Sequence, residues 1–214
     1  MMRIARICRS CVAVLPMISG AGGCMSPGWF RNASPIAADA TTHRGQSIGH
    51  QLVVDGDFSF PPSDPLIRGL TEQRDIINQR LELPESDRLI NVHIYADEWS
   101  YREQIARRLP KFPERRALFV ETASSLDVYA YRGEHEGVDL RHEVAHGYLH
   151  AAVPNLPLWL DEGLAEYFEV PRGQGGVNRP HVELLQGQVA VAGWNPDLSR
   201  LEALVDADRM TQLD

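Results

Sequence analysis

Beyond residue 24 the chain contains no cysteine; its three, Cys8, Cys11 and Cys24, all lie at the N-terminus. The remainder therefore has no thiol chemistry, no disulfide and no cysteine metal ligand. Lysine is nearly absent too: of 21 basic residues only Lys111 is lysine and the rest are arginine. The formal charge of −8 argues against a protein that tracks nucleic-acid phosphates. No apolar run approaches the ~20 residues that a membrane-spanning helix needs, and no internal repeat is visible. What is present is ordinary. With 43% hydrophobic and 23% charged residues over 214 positions, the chain fits one globular domain with a short appendage. A disordered chain, a collagen or a disulfide-rich miniprotein is excluded.

The appendage is N-terminal. Arg3, Arg6 and Arg9 precede a short apolar run from Cys11 to Ile18 and then small residues. That is the order of a secretory signal, assigned here to residues 1–23. An amphipathic helix on a membrane surface is the competing reading, but Pro16 and the following glycines break a helix. Ala21-Gly22-Gly23-Cys24 resembles a bacterial lipobox, which implies that Cys24 becomes a lipidated first residue. Ala21 stands where leucine is usual, so ordinary cleavage nearby is the alternative. Removing residues 1–23 deletes three positive charges and no negative ones, taking −8 to −11. Residues 24–49, rich in Ser, Pro, Ala, Gly and Thr, read as a linker. The domain then spans 50–214.

Within it, 50–60 reads as a strand and Pro65 opens a helix capped by Ser63 or Asp64 and ended by Pro84. Residues 89–95 alternate as a strand does, and Asp97 begins a second helix running to Leu109. Strands follow at 117–121 and 126–131, joined with hairpin-like spacing, then helices at about 138–151 and 157–169 and a weaker helical tail. Helices on a small, mostly antiparallel sheet make an α+β domain.

The chemistry lies at His142-Glu143-Val144-Ala145-His146, an HExxH sequence. At about 100° per residue, positions i and i+4 differ by only ~40° around a helix and ~6 Å along it. Both imidazoles can therefore reach one metal ion. Glu143, ~100° round from His142, flanks that face, where it can reach an attacking water without binding the metal. Leu140, Val144, Tyr148 and Ala151 lie opposite and would face the core. The register is not unique, because His146 and His150 are also i, i+4. The pair with Glu in second position is preferred, which leaves His150 as a rim or surface residue. A catalytic zinc needs a third protein ligand and one open position. The next helix offers Glu162 and Glu166, again at i, i+4, with fifteen residues between His146 and Glu162. Gly163 and Ala165 are small enough to let that helix approach its neighbour closely.

HEVAH followed by LPLWLDEGLAEYFE resembles the gluzincin metallopeptidases, and more closely the bacterial secreted or lipoprotein families with a peptidase-like domain. The resemblance is strong over 138–169 and looser over about 63–206. It implies a zincin-like metallopeptidase core with Zn²⁺ held by His142, His146 and Glu162. It implies Glu143 as the catalytic base, and Glu166 as the acceptor that orients a ligating imidazole. It also implies that strand 126–131 forms the lip of a cleft and pairs with an extended peptide; an ordinary sheet edge is the plainer reading. Relatives use a Tyr or His to stabilise the oxyanion, and Tyr129, Tyr148, Tyr167 and His181 all stay open for that role. No G-x-M-E-N motif precedes the site, so the aminopeptidase branch is not implied.

The function expected is zinc-dependent peptide-bond hydrolysis at the cell envelope, with a peptide or protein substrate, a membrane attachment through Cys24 and no nucleic-acid partner. The alternative is a noncatalytic zinc-containing surface or scaffold protein of the same fold. A non-heme iron site would also accept two histidines and a carboxylate, but would not need Glu143.

Overall fold

Ile90, Val92 and Ile94 are fully buried while Asn91, His93 and Tyr95 between them are half-buried, so one strand serves two apolar layers. This strand, β3 (Ile90–Tyr95), is the middle of a five-stranded sheet in the computed structural model. The described residues are 46–48, 51–56, 60–61, 63–110, 112, 114–171, 173, 177–192, 195 and 197–203. Signal and lipobox residues 1–24, and most of the linker, fall outside them. The stretch read as linker does, however, end in a strand, β1 (Gln46–Ile48).

In chain order there follow β2 (Leu52–Gly56), α1 (Pro65–Leu81), β3, α2 (Glu98–Arg108), β4 (Leu118–Glu121), β5 (Leu126–Tyr131), α3 (Glu136–Ala152), α4 (Leu158–Glu169), α5 (Arg179–Ala192) and α6 (Leu198–Glu202). The sheet order is β1-β2-β3-β5-β4. The domain is α+β, but the expectation of a mostly antiparallel sheet needs correction. β2, β3 and β5 are parallel, with Leu52 opposite Ile90 and Ile90 opposite Leu126. Only β1 on β2 and β4 on β5 are antiparallel. The reason is connectivity. α1 carries the chain from β2 over to a parallel β3, whereas α2 leads into β4 in the opposite direction and the short link 121–126 turns the chain round again, so that β5 lies parallel to β3; the link 48–52 likewise reverses β1 into β2. A second correction concerns β5, which is paired on both sides, by β3 and β4. The outer strand on that side is β4, and β1 is the outer strand on the other.

The two sheet faces bury different sets. Ile90, Val92, Ile94, Leu126, Val128, Ala130 and Phe119 pack with residues of α1, α3 and α4. Leu118, Val120 and Tyr129 pack on Tyr101 and Ile105 of α2. One side chain ties the three helices of the first face together. Gln73 of α1, 4% exposed, donates both amide hydrogens, to the carbonyls of Arg141 in α3 (2.7 Å) and Phe168 in α4 (3.0 Å). Each acceptor immediately precedes a residue of the site, His142 or Glu169. Tyr148 donates to the Leu70 carbonyl at 3.1 Å, a further bond from α3 to α1. No helix among the described residues is long and apolar enough to cross a membrane.

Candidate metal centre

Helix α3 lies so deep that every residue from His142 to His150 is buried. Its approach to the sheet is set by Gly147. A Cβ there would sit 2.9 Å from Cγ2 of Ile90, so the helix backbone rests directly on β3. Gly163, expected to give such close approach in α4, has open space around it; Ala165, fully buried, is the small residue in the core.

The HExxH register places the imidazoles together. His142 Nε2 and His146 Nε2 are 3.2 Å apart, and each lies 3.8 Å from Glu162 Oε2. The other ring nitrogens face carboxylates: His142 Nδ1 meets Glu169 Oε2 at 2.8 Å, and His146 Nδ1 meets Asp161 Oδ1 at 2.9 Å. A carboxylate accepts, so each Nδ1 donates and each neutral ring turns the lone pair of Nε2 inward. Two lone pairs and a carboxylate oxygen then crowd one point with no hydrogen to share, an arrangement a cation relieves. Tetrahedral ligation with Zn–N of about 2.0–2.1 Å needs donors roughly 3.3 Å apart. The imidazoles match that spacing, and Glu162 needs a small inward shift. The donor set therefore fits zinc.

Among the described residues two more groups of possible ligand atoms converge, His146 with His150 and Asp161, and His142 with Glu166 and Glu169. In both, the ring nitrogens are already used in hydrogen bonds to carboxylates, so the first group is the better cation site.

Glu143, 4% exposed, stands beside these donors with Oε2 unpaired. Burial raises its pKa above the usual carboxylate range; the two imidazoles and Arg115 act in the other direction, and Glu162 adds to the rise. A cation between the imidazoles would lower it again. Asp161 is the reverse case. Burial alone would raise it, but the charges and hydrogen bonds of His146 and His150 outweigh that and hold the carboxyl well below its ordinary value.

Several sequence expectations change here. The carboxylates bonded to the two imidazoles are Glu169 and Asp161. Glu166, expected in that role, instead pairs with His181 Nδ1 at 2.7 Å and accepts from Asn178 at 3.2 Å. Asn178 also donates to Glu169 at 2.7 Å, so Glu166 supports the bonded carboxylate from behind. His150 is not a rim residue. It is 4% exposed and bonded to Glu121 and Asp161. Glu169 lies seven residues past Glu162, on the same helical stripe; Asp161 directly precedes Glu162. Nothing in the spacing ranks them against Glu166.

The four residues left open for an oxyanion role have other engagements. The Tyr148 hydroxyl bonds Leu70, the Tyr167 hydroxyl accepts from Arg80, Tyr129 stacks on His93 with ring centroids 4.8 Å apart, and His181 bonds Glu166. Burial pushes the Tyr148 and Tyr129 hydroxyls above the ordinary phenol range. Comparison of the chain with protein-family models gave no match, and comparison with curated proteins gave none either.

Proposed function

We propose that this protein is a zinc metallopeptidase of the gluzincin type, with a zincin-like core. The observation that carries the reading is the convergence of His142 Nε2, His146 Nε2 and Glu162 Oε2 beside Glu143, whose Oε2 has no hydrogen-bond partner. Zinc held there would supply Lewis-acid polarisation of a peptide carbonyl and lower the pKa of water to ~7. Asp161 and Glu169 keep both imidazoles in the ligating tautomer. Glu143 takes a proton from the attacking water as its oxygen bonds the carbonyl carbon. The same carboxyl then gives that proton to the amide nitrogen as the C–N bond breaks. The substrate is a peptide or protein; β5, paired on both sides, is not the strand an extended peptide would join.

A noncatalytic zinc protein of the same fold is the second reading. It is favoured by the deep burial of the ligands, with His142 and His146 each 1% exposed, and by the engagement of all four oxyanion candidates elsewhere.

The decisive experiment measures zinc content and hydrolysis of a broad peptide library. Wild type should carry about one zinc per chain, lost in His142→Ala or His146→Ala and weakened in Glu162→Gln. Glu143→Gln should keep the metal while hydrolysis falls ~10²–10⁴-fold. Undiminished cleavage by Glu143→Gln would refute the mechanism. Zinc without any cleavage by wild type would establish the second reading.

We place the protein at the cell envelope, on the strength of the signal-like N-terminus and Cys24. Stable anchoring takes more than one acyl chain. Cys24→Ser should abolish lipid labelling and release the protein from membranes; unchanged fractionation with unmodified Cys24 would point to ordinary secretion.

A further inference from the structure

The bond from His146 to Asp161 is one link of a longer buried series. Asp161 uses Oδ1 for His146 and Oδ2 for His150 Nε2, at 2.9 Å each. His150 Nδ1 meets Glu121 Oε2 at 2.8 Å. Glu121 Oε1 accepts from Arg88 Nη1 at 2.9 Å, and the same Nη1 donates to the His150 carbonyl at 3.2 Å. The series joins one loop residue to three elements. It begins at Arg88, just before β3, passes through the last residue of the outer strand β4 and the third histidine of α3, and reaches the first turn of α4. Phe119 holds both rings in place, stacked on His146 (centroids 5.8 Å, planes 17° apart) and edge-on to His150 (5.0 Å).

Both ring nitrogens of His150 face carboxylate oxygens. An ionised carboxylate has no hydrogen to give, so both nitrogens donate and the ring is a buried imidazolium. It does two things to Asp161. It fixes the rotation of the carboxylate about its χ2 bond, a torsion that is otherwise broad and soft. It also takes a share of the anion's charge, so Asp161 holds the Nδ1 hydrogen of His146 without drawing it off.

We propose that His150, held by Glu121 and Arg88, is a positioning residue for the metal centre: it fixes the Asp161 carboxylate that sets the ring orientation and tautomer of His146. This rests on the zinc reading given above. His150 does not itself ligate the ion; it acts through Asp161.

The test uses the full chain, with zinc affinity from chelator competition and the d–d absorption of the Co²⁺-substituted protein as readouts. The cobalt bands report ligand geometry, which a merely structural role would leave alone. His150→Gln should weaken zinc binding by about 10–100-fold, the usual cost of losing a group that orients a ligand, and shift the cobalt bands. Glu121→Gln, one link further out, should shift both readouts the same way by less, and carries the test if His150→Gln does not fold. Unchanged affinity and bands in a folded variant would overturn the proposal while leaving the zinc reading intact. So would a variant whose only change is a lower Tm in chelator. Two zinc ions per wild-type chain, falling to one in His150→Gln, would make His150 a ligand and overturn it as well. A wild type that binds no zinc would overturn both readings together.

Discussion

At the scale of single residues, one absent methyl group sets the height of the HExxH helix above the sheet. A side chain on Gly147 would meet three atoms of Ile90, at 2.9, 3.1 and 3.3 Å, and Ile90 is itself completely buried. Ala is the better helix former by about 0.8–1 kcal/mol, but forcing a carbon into a filled core costs about 1–3 kcal/mol. Gly147→Ala is expected to destabilise the protein by about 1 kcal/mol net. In an Ile90→Ala background the obstruction is gone, and the same substitution should become stabilising. Denaturant unfolding of the four proteins checks that reversal of sign, and Gly163→Ala, with open space around it, is the control that should stabilise outright. His142, Glu143 and His146 were legible in the sequence because i, i+4 spacing brings two rings together on any helix. The choice between Glu166 and Glu169 was not. Both share the stripe of Glu162, and which one meets His142 depends on how far α4 is slid along α3. His150 was misread for a related reason: periodicity says which face an imidazole occupies, but not that Glu121 from a distant strand will bury it with a partner.

Most elements follow from local signals. Asp64 caps α1, accepting from the Leu66 N–H at 2.9 Å, with Pro65 behind it at the first helical position. Asp97 and Ser100 form a reciprocal cap on α2. By contrast α3 and α4 have no side-chain cap, and their termini depend on tertiary packing. Asp64→Ala should therefore cost about 0.5–2 kcal/mol, seen as a lower urea midpoint with unchanged slope, while Asp64→Asn should retain most of the stability. What the local signals did not deliver was strand direction. The run β2, α1, β3 implies one parallel pair, since a helix between strands is commonly a crossover, but α2 leads into β4, which runs opposite to β3, and no local signal separates the two cases. Nor could 46–48 be recognised as a strand. Three residues of mixed polarity in a Ser- and Gly-rich stretch carry no periodicity, and β1 exists through its pairing with β2.

At the scale of the whole molecule, the sheet carries α1, α3 and α4 on one face and α2 on the other, and the HExxH helix belongs to the larger group. Gln73 then holds α3 and α4 from α1, so neither site helix can move without breaking a bond to the third. The contrast with the C-terminal part is plain: α5 exposes Val182, Leu184 and Val189, and no residue of α6 is buried. That contrast has a consequence for solvent exchange. The amides from His146 to His150 lie in the buried C-terminal half of α3, so deuterium is expected to reach them only when the entire domain opens. Their protection should equal the global unfolding free energy, while amides of α5 should exchange through local fraying, orders of magnitude sooner. Exchange followed by mass spectrometry or NMR would show it, and rapid labelling at His146 in the folded protein would contradict it. The His146 amide thus becomes a gauge of the unfolded population. A substitution in a remote loop and a change at the candidate metal site would register there in the same units, because neither can admit deuterium except by unfolding the whole domain.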